Sequence, residues 1–348
     1  MSNRILISQR MSMVLQGDTL WIGSLNGLYT YQLKSRQLNH FDSKQTGLPH
    51  NTIYSIIHTK DNQIYIGTYN GLCRYVQASG KFENILLPVN RGGSNLFVNS
   101  LLEDAARQCI WIGMEGYLFQ YNPTTGEMKA IEVFHNNSIK SLALDGDENL
   151  LAGTDNGLYV YQNDKEPLQH IIHDSRNIQS LTNNIIWNIF SDQEHNIWLG
   201  TDYGISLSRY NSALQFVPIS QITGTGDGNQ FYSLFRDSKG FYWFGGTNGV
   251  IRFTHPAGNK HVAIWYRMGD KNYPLSHNRI RHIYEDREQQ LWIATDGSIN
   301  RYDYNTHQFV HYNIVDSTGT YNTNWAYYLF EDTDGKLWIA TCLGGIFV

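Results

Sequence analysis

The sequence predicts an all-β chain, a β-propeller of four-stranded antiparallel blades. Three observations predict it. A pattern of about a dozen residues returns eight times, four copies carry an explicit Asn-Gly hairpin signal, and helical periodicity is nearly absent.

The pattern stands out in "LWIGSLNGLYTY" (20–31), "IYIGTYNGLCRY" (64–75), "LLAGTDNGLYVY" (150–161) and "YWFGGTNGVIRF" (242–253). The small residue behind its apolar core falls at Gly23, Gly67, Gly113, Gly153, Gly200, Gly245, Ala294 and Ala340. The spacings are 44, 46, 40, 47, 45, 49 and 46. A period of about 45 is that of a propeller blade. One domain over 1–348 follows, with units at 1–46, 47–92, 93–134, 135–179, 180–223, 224–273, 274–318 and 319–348.

Each unit reads as four short strands. An apolar strand such as "IIWNIFSD" (185–192) leads into a polar turn, and the Trp-Ile strand follows. After a tight turn comes a third strand ending in Tyr or Phe, then a fourth such as "QFVPIS" (215–220). Asn26-Gly27, Asn70-Gly71, Asn156-Gly157 and Asn248-Gly249 mark the tight turn, since both residues accept positive φ. Four strands cannot bury both faces alone, so blades must stack. Trp21, Trp111, Trp198, Trp243, Trp292 and Trp338 are expected to fill the space between neighbours. The eighth unit stops at "GGIFV" (344–348), inside its third strand. Either "RILIS" (4–8) completes one eight-bladed ring, or a seven-bladed ring closes earlier and the last unit begins a second propeller.

Composition narrows the function. Hydrophobic residues make up 41% and charged residues 16%, enough to bury a large core, and 23 Tyr with 9 Trp suit strands. A net charge of −5 gives no broad basic surface, so no nucleic-acid partner is expected. Cys73, Cys109 and Cys342 have neither disulfide-framework nor metal-finger spacing. No apolar run of about 18 residues exists to cross a membrane, and "MSNRILISQR" is too short and polar for a signal peptide. "HIIH" (170–173) puts its histidines on opposite faces of a strand, a poor metal site. "DGDEN" (145–149) lacks the full oxygen spacing of a calcium loop, and "GTGDG" (224–228) leads into a strand instead of the helix a phosphate loop needs. No cofactor, metal or nucleophile elbow is expected, and no acid–base carboxylate pair can be named.

In "DQEHNIWLGTDYGI" (192–205), "DSKGFYWFGGTNGV" (237–250), "DTDGKLWIAT" (332–341) and "GLPHNTIYSII" (47–57), the chain resembles the two-component regulator propeller repeat family. The resemblance covers essentially the whole chain. It implies the periplasmic sensor region of a hybrid histidine kinase, responding to oligosaccharides released from polysaccharides. Tandem seven-bladed rings, a β-sandwich, a membrane helix and the kinase make up the family's usual layout. This chain carries none of the last three, so the resemblance implies a non-enzymatic sensor fragment of a membrane-anchored protein, with the kinase in a further C-terminal portion. A homodimer is a possible part of the relay. The rival readings are a propeller lyase or glycosidase, kept open by His282 beside Arg281, and a protein-interaction propeller.

Positions shared by all units are expected to be scaffold, so departures are the better ligand candidates. Asp104, Asp145, Asp192, Asp237, Asp286 and Asp332 recur at the end of the first strand, with Thr59 in the second unit. Eight residues earlier stand Asn51, Asn137, Asn184, Asn229, Asn278 and Asn324, read either as turn caps or as a polar ring around a ligand. Five before the Asp the identity varies: Tyr54, Asn99, Lys140, Trp187, Tyr232, Arg281 and Tyr327. Seven before, on the same face by the period of two, come Gln230, Arg279 and Trp325. Aromatic faces stack on sugar rings, while amides and guanidiniums bond hydroxyls or acidic groups. The candidate ligand-binding residues are therefore Tyr54, Asn99, Lys140, Trp187, Tyr232, Arg279, Arg281, Trp325 and Tyr327; packing between blades is the alternative. The loops 88–95, 223–230 and 316–325 enter the same end of their blades.

Overall fold

The structure, a computed structural model, describes residues 12–89, 96–131, 137–162, 165–177, 179–210, 217–218, 230–254, 262–271, 274–315, 323–342 and 345–348. Among these, every regular element is a β-strand. Eight antiparallel sheets follow one another, seven of four strands and the last of three, each a meander in chain order. They are the blades of a β-propeller. The fifth is typical: Ile186–Ser191, Ile197–Thr201, Gly204–Ser208 and Val217–Pro218. The eighth comprises Ala326–Glu331, Leu337–Thr341 and Gly345–Phe347. Residues 4–8, and most of 88–95, 223–230 and 316–325, lie outside the described residues. The described residues form two compact units, 12–142 and 143–348.

The turn between first and second strands explains the repeated Asp and Trp together. Asp192 Oδ1 accepts the backbone N–H of Glu194 at 3.0 Å and of Asn196 at 2.8 Å, closing the turn, and Oδ2 accepts Trp198 Nε1 at 2.8 Å. The same indole-to-carboxylate bond joins Trp111 to Asp104 at 3.0 Å, Trp243 to Asp237 at 2.8 Å, Trp292 to Asp286 at 2.7 Å and Trp338 to Asp332 at 2.7 Å. A buried indole needs an acceptor, and this one also fixes the hairpin. Where Leu151 replaces the Trp, Asp145 Oδ2 takes Asn149 Nδ2 at 2.9 Å instead. "DGDEN" is thus a turn held by its own aspartate.

The Trp rings do fill the space between sheets. Trp198 is fully buried, its ring centroid 4.5 Å from Tyr242 and 5.2 Å from Phe244 of the sixth sheet. Trp243 meets Tyr302 of the seventh at 4.8 Å. The glycine behind the Trp-Ile pair is there for close approach. A Cβ on Gly153 would sit 2.7 Å from Ile186 Cγ2 in the following sheet.

The Asn-Gly turns differ from expectation. Gly27, Gly71, Gly157 and Gly249 have positive φ, but the Asn before each does not. A hydroxyl from the end of the second strand does the shaping: Thr154 Oγ1 donates to Gly157 O at 2.9 Å and accepts Asn156 N at 2.9 Å, and Thr68 and Ser24 repeat the arrangement. With the turn pinned by that side chain, one left-handed residue suffices. The Asn carbonyl is then capped from the fourth strand, by His40 Nε2 at 2.8 Å and His170 Nε2 at 2.6 Å. His170 is stacked on Tyr159, while His173 Nδ1 contacts Leu181 O, so the two histidines of "HIIH" hold separate connections.

Candidate functional site

The first strands of successive sheets lie against one another. In the second unit Asn188 Nδ2 donates to Tyr232 O at 3.2 Å, and Leu329 N donates to His282 Nδ1 at 3.2 Å. In the first, Ser55 Oγ donates to Val98 O at 3.2 Å. Near its entrance each of these strands carries a β-bulge against the second strand. Ile186 pairs with Thr201 and Asn188 with Gly200, leaving Trp187 as the extra residue. Tyr54, Asn99, Tyr232, Arg281 and Tyr327 hold the same place in their sheets. A bulge turns its extra side chain away from the ladder and is a common device beside binding sites. Six of the nine sequence-chosen residues are therefore bulge residues. Arg279 and Trp325 stand just before their strands, and Lys140 lies on Ile139–Leu144.

Within residues 143–348, four of the variable positions, Trp187, Gln230, Arg279 and Arg281, reach two carboxylates. Trp187 Nε1 donates to Asp202 Oδ1 at 2.9 Å, and Gln230 Nε2 reaches the same oxygen at 2.8 Å. Arg281 grips Asp296 with two bonds, Nε to Oδ1 at 2.6 Å and Nη2 to Oδ2 at 3.0 Å; both side chains are over nine-tenths buried. Arg279, 43% exposed, approaches the same carboxylate at 4.0 Å. The Arg281 guanidinium also lies over the Tyr327 ring, 4.3 Å from its centroid. Tyr232 stands among Arg281, Arg279 and Asp296. Burial pushes its hydroxyl up to about 12 despite the two nearby cations, so it stays a neutral donor. Trp325 is 41% exposed. In the first unit, Tyr54 neighbours Tyr69 and Phe97 at 6.3 and 6.1 Å, and Asn99 Nδ2 donates to Ser138 Oγ at 3.3 Å.

Asp202 and Asp296 were missed by the strand-by-strand reading. Each is the residue after the Gly-Thr or Ala-Thr pair of the second strand, fifteen residues beyond its bulge partner. Tyr69, Thr247 and Cys342 occupy the same position. The signal was a second variable position at constant distance from the first. A backbone bond fixes it in every case: Tyr69 N to Thr52 O at 2.9 Å, Asp202 N to Ile185 O at 2.9 Å, Thr247 N to Gln230 O at 3.1 Å, Asp296 N to Arg279 O at 3.2 Å, and Cys342 N to Trp325 O at 2.8 Å.

The repeated Asn is scaffold. Asn51, Asn184, Asn278 and Asn324 each accept a backbone N–H from the incoming connection through Oδ1, at 2.6–3.0 Å. The backbone oxygens of Asn51, Asn184 and Asn278 receive the turn glycine of the preceding sheet. Asn229 lies outside the described residues. Replacing Asn184 by Ala is expected to lower stability by about 1 kcal/mol and leave ligand affinity unchanged, as urea denaturation and calorimetry would establish.

His282 does not join Arg281. Its ring is stacked on Tyr328 at 3.9 Å and accepts the Leu329 N–H, and burial lowers its pKa to about 4. It bridges two sheets as a neutral ring. Among the described residues no group of three His, Cys, Asp or Glu side chains could hold a metal, and no helix is long and apolar enough to cross a membrane.

Five segments, 47–70, 180–203, 225–248, 274–297 and 320–342, match the family model described as two-component regulator propeller. Two structures of the extracellular domain of the system BT4673 from B. thetaiotaomicron, one described as belonging to a one-component and the other to a hybrid two-component system, are 81% and 82% identical. Each covers 96% of this chain and 45% of its own length, with a TM-score of 0.55. A curated relative, Histidine kinase P4 of Formosa agariphila, is 24% identical over 80% of this chain and 21% of its own length. The chain thus spans under half the length of these three relatives. Virginiamycin B lyase from Staphylococcus aureus, at 13% identity, 99% coverage of this chain, 96% of its own and a TM-score of 0.51, shares the fold alone.

Proposed function

Because the chain belongs to the two-component regulator propeller family, we propose that it is the extracytoplasmic, ligand-sensing part of a hybrid two-component protein. In this reading the region lies in the periplasm, and an oligosaccharide released from a polysaccharide is the signal. The region binds the sugar without cutting it and biases a histidine kinase elsewhere in a longer, membrane-anchored protein, through a dimer contact in the relay. The observation that carries the ligand class is the row of bulge residues. Trp187, Tyr232 and Tyr327 set aromatic faces beside Asp202, Gln230, Arg281 and Asp296 at one end of adjoining strands. Sugar rings need apolar faces to stack on and fixed polar groups for their hydroxyls.

The test is a thermal-shift screen against neutral and acidic oligosaccharides, with product analysis of the same samples. A ligand that binds only the folded state stabilises it by about 2.7 kcal/mol at a hundredfold excess over Kd. A raised Tm with the sugar recovered intact is the expected result. A cleaved sugar would make the chain an enzyme, and no shift with any sugar would point to a protein partner. Trp187→Ala is expected to weaken binding by up to about tenfold through the lost ring face.

A further inference from the structure

Asp202 and Asp296 occupy equivalent positions but are neutralised differently. Asp296 is paired with Arg281 on both oxygens and approached by Arg279. Asp202 has no cationic partner among the described residues. Its Oδ1 alone accepts the two neutral donors, Trp187 Nε1 at 2.9 Å and Gln230 Nε2 at 2.8 Å. Three separate segments converge here: a bulge in the fifth sheet, the turn after that sheet's second strand, and the residue leading into Phe231–Arg236. The indole bond fixes the Trp187 ring, and with both donors on one oxygen, Oδ2 faces no donor among the described residues.

We infer that Trp187, Asp202 and Gln230 form a subsite for an uncharged sugar ring, a reading that rests on the oligosaccharide-sensing function proposed above. An ionised carboxylate only accepts hydrogen bonds. It suits a ring that offers hydroxyl donors, and charge-assisted bonds of that kind are among the stronger ones. A uronate or sulfate at the same place would face a like charge with no cation bonded to it, and like charges at contact are costly. The Trp187 face supplies the stacking surface and the Gln230 amide a planar group of fixed orientation. Asp202 is the residue that reads the hydroxyls, and charge at this position selects against acidic rings.

The experiment is calorimetric titration of the chain with galactotetraose, cellotetraose, xylotetraose and mannotetraose, and with tetragalacturonate as the charged comparison. At least one uncharged sugar is expected to bind, more tightly than tetragalacturonate, with little change between low and high salt. Asp202→Asn keeps the shape and the Trp187 bond but removes the charge. It is expected to lower affinity about tenfold or more while the unliganded Tm stays at the parent value, and Gln230→Ala should move affinity in the same direction. Parent-like affinity in both variants, or tighter binding of tetragalacturonate, overturns the subsite and leaves the sensor reading standing. Failure of every sugar to bind the parent chain overturns both.

Discussion

Replacing Asp192 by Ala is expected to lower the free energy of unfolding by about 3 kcal/mol or more. The carboxylate is 5% exposed and accepts the backbone amides of Glu194 and Asn196, the Asn196 side chain, Trp198 Nε1 and the Tyr242 hydroxyl of the next sheet. Alanine would strand a buried indole N–H, leave the Tyr242 hydroxyl with Glu194 Oε2 at 3.1 Å as its remaining acceptor, and open the hairpin at once. Asp145→Ala, in the sheet that lacks the Trp, should cost only about 1 kcal/mol because its donors are turn amides and a half-buried Asn. Urea denaturation of both variants decides the point, and equal losses would mean that the indole bond contributes little. The same contacts set the acid limb. Burial alone would raise the carboxyls of Asp104, Asp192 and Asp332, but the indole and the other donors around each hold all three below the usual carboxylate range. A lowered folded pKa means stability that is fully present above the unfolded carboxylate value of about 4 and is lost as pH falls through the folded one. Asp192→Ala should therefore flatten the decline of Tm in acid as well as lower its plateau.

The blades were legible because the physics that makes them is local and repeated. A Trp-bearing strand, an Asp before its turn and a small residue behind the Trp-Ile pair recur at a nearly constant spacing. Trp198 fills the space between sheets as expected, and the structure adds what Asp192 and Gly153 do. The candidate site was legible by half. Variable residues on the first strand were found because variability survives any register. Their partners were not, because the bulge at Trp187 or Arg281 inserts a residue that a period of two does not count. Pairing across fifteen residues appears only once that register is known. Neighbours then part company: Arg281 turns to Asp296, while His282 packs between sheets as a neutral ring. The Asn-Gly turns failed for a related reason, since the deciding group, the Thr154 hydroxyl, lies two residues outside the dipeptide.

Arg281→Ala is expected to cost about 3–5 kcal/mol, the usual penalty for stranding one member of a buried ion pair. The Arg281 and Asp296 side chains are 7% and 6% exposed, so solvent does little to screen them, and the guanidinium also covers the Tyr327 ring. Removing it leaves a buried carboxylate with only the distant, half-exposed Arg279 at 4.0 Å. The double replacement Arg281→Met with Asp296→Leu removes both charges and is expected to recover most of the loss, because an apolar pair of similar volume needs no compensation. Denaturation of Arg281→Met, Asp296→Leu and the double gives the coupling directly. A loss within 1 kcal/mol for Arg281→Ala would mean that water reaches the pair. The double variant also separates folding from recognition. If it melts like the parent chain yet no longer binds an oligosaccharide that the parent binds, the pair is part of the ligand site; if binding survives, its role is to hold the bulge, and recognition rests with Trp187 and Asp202.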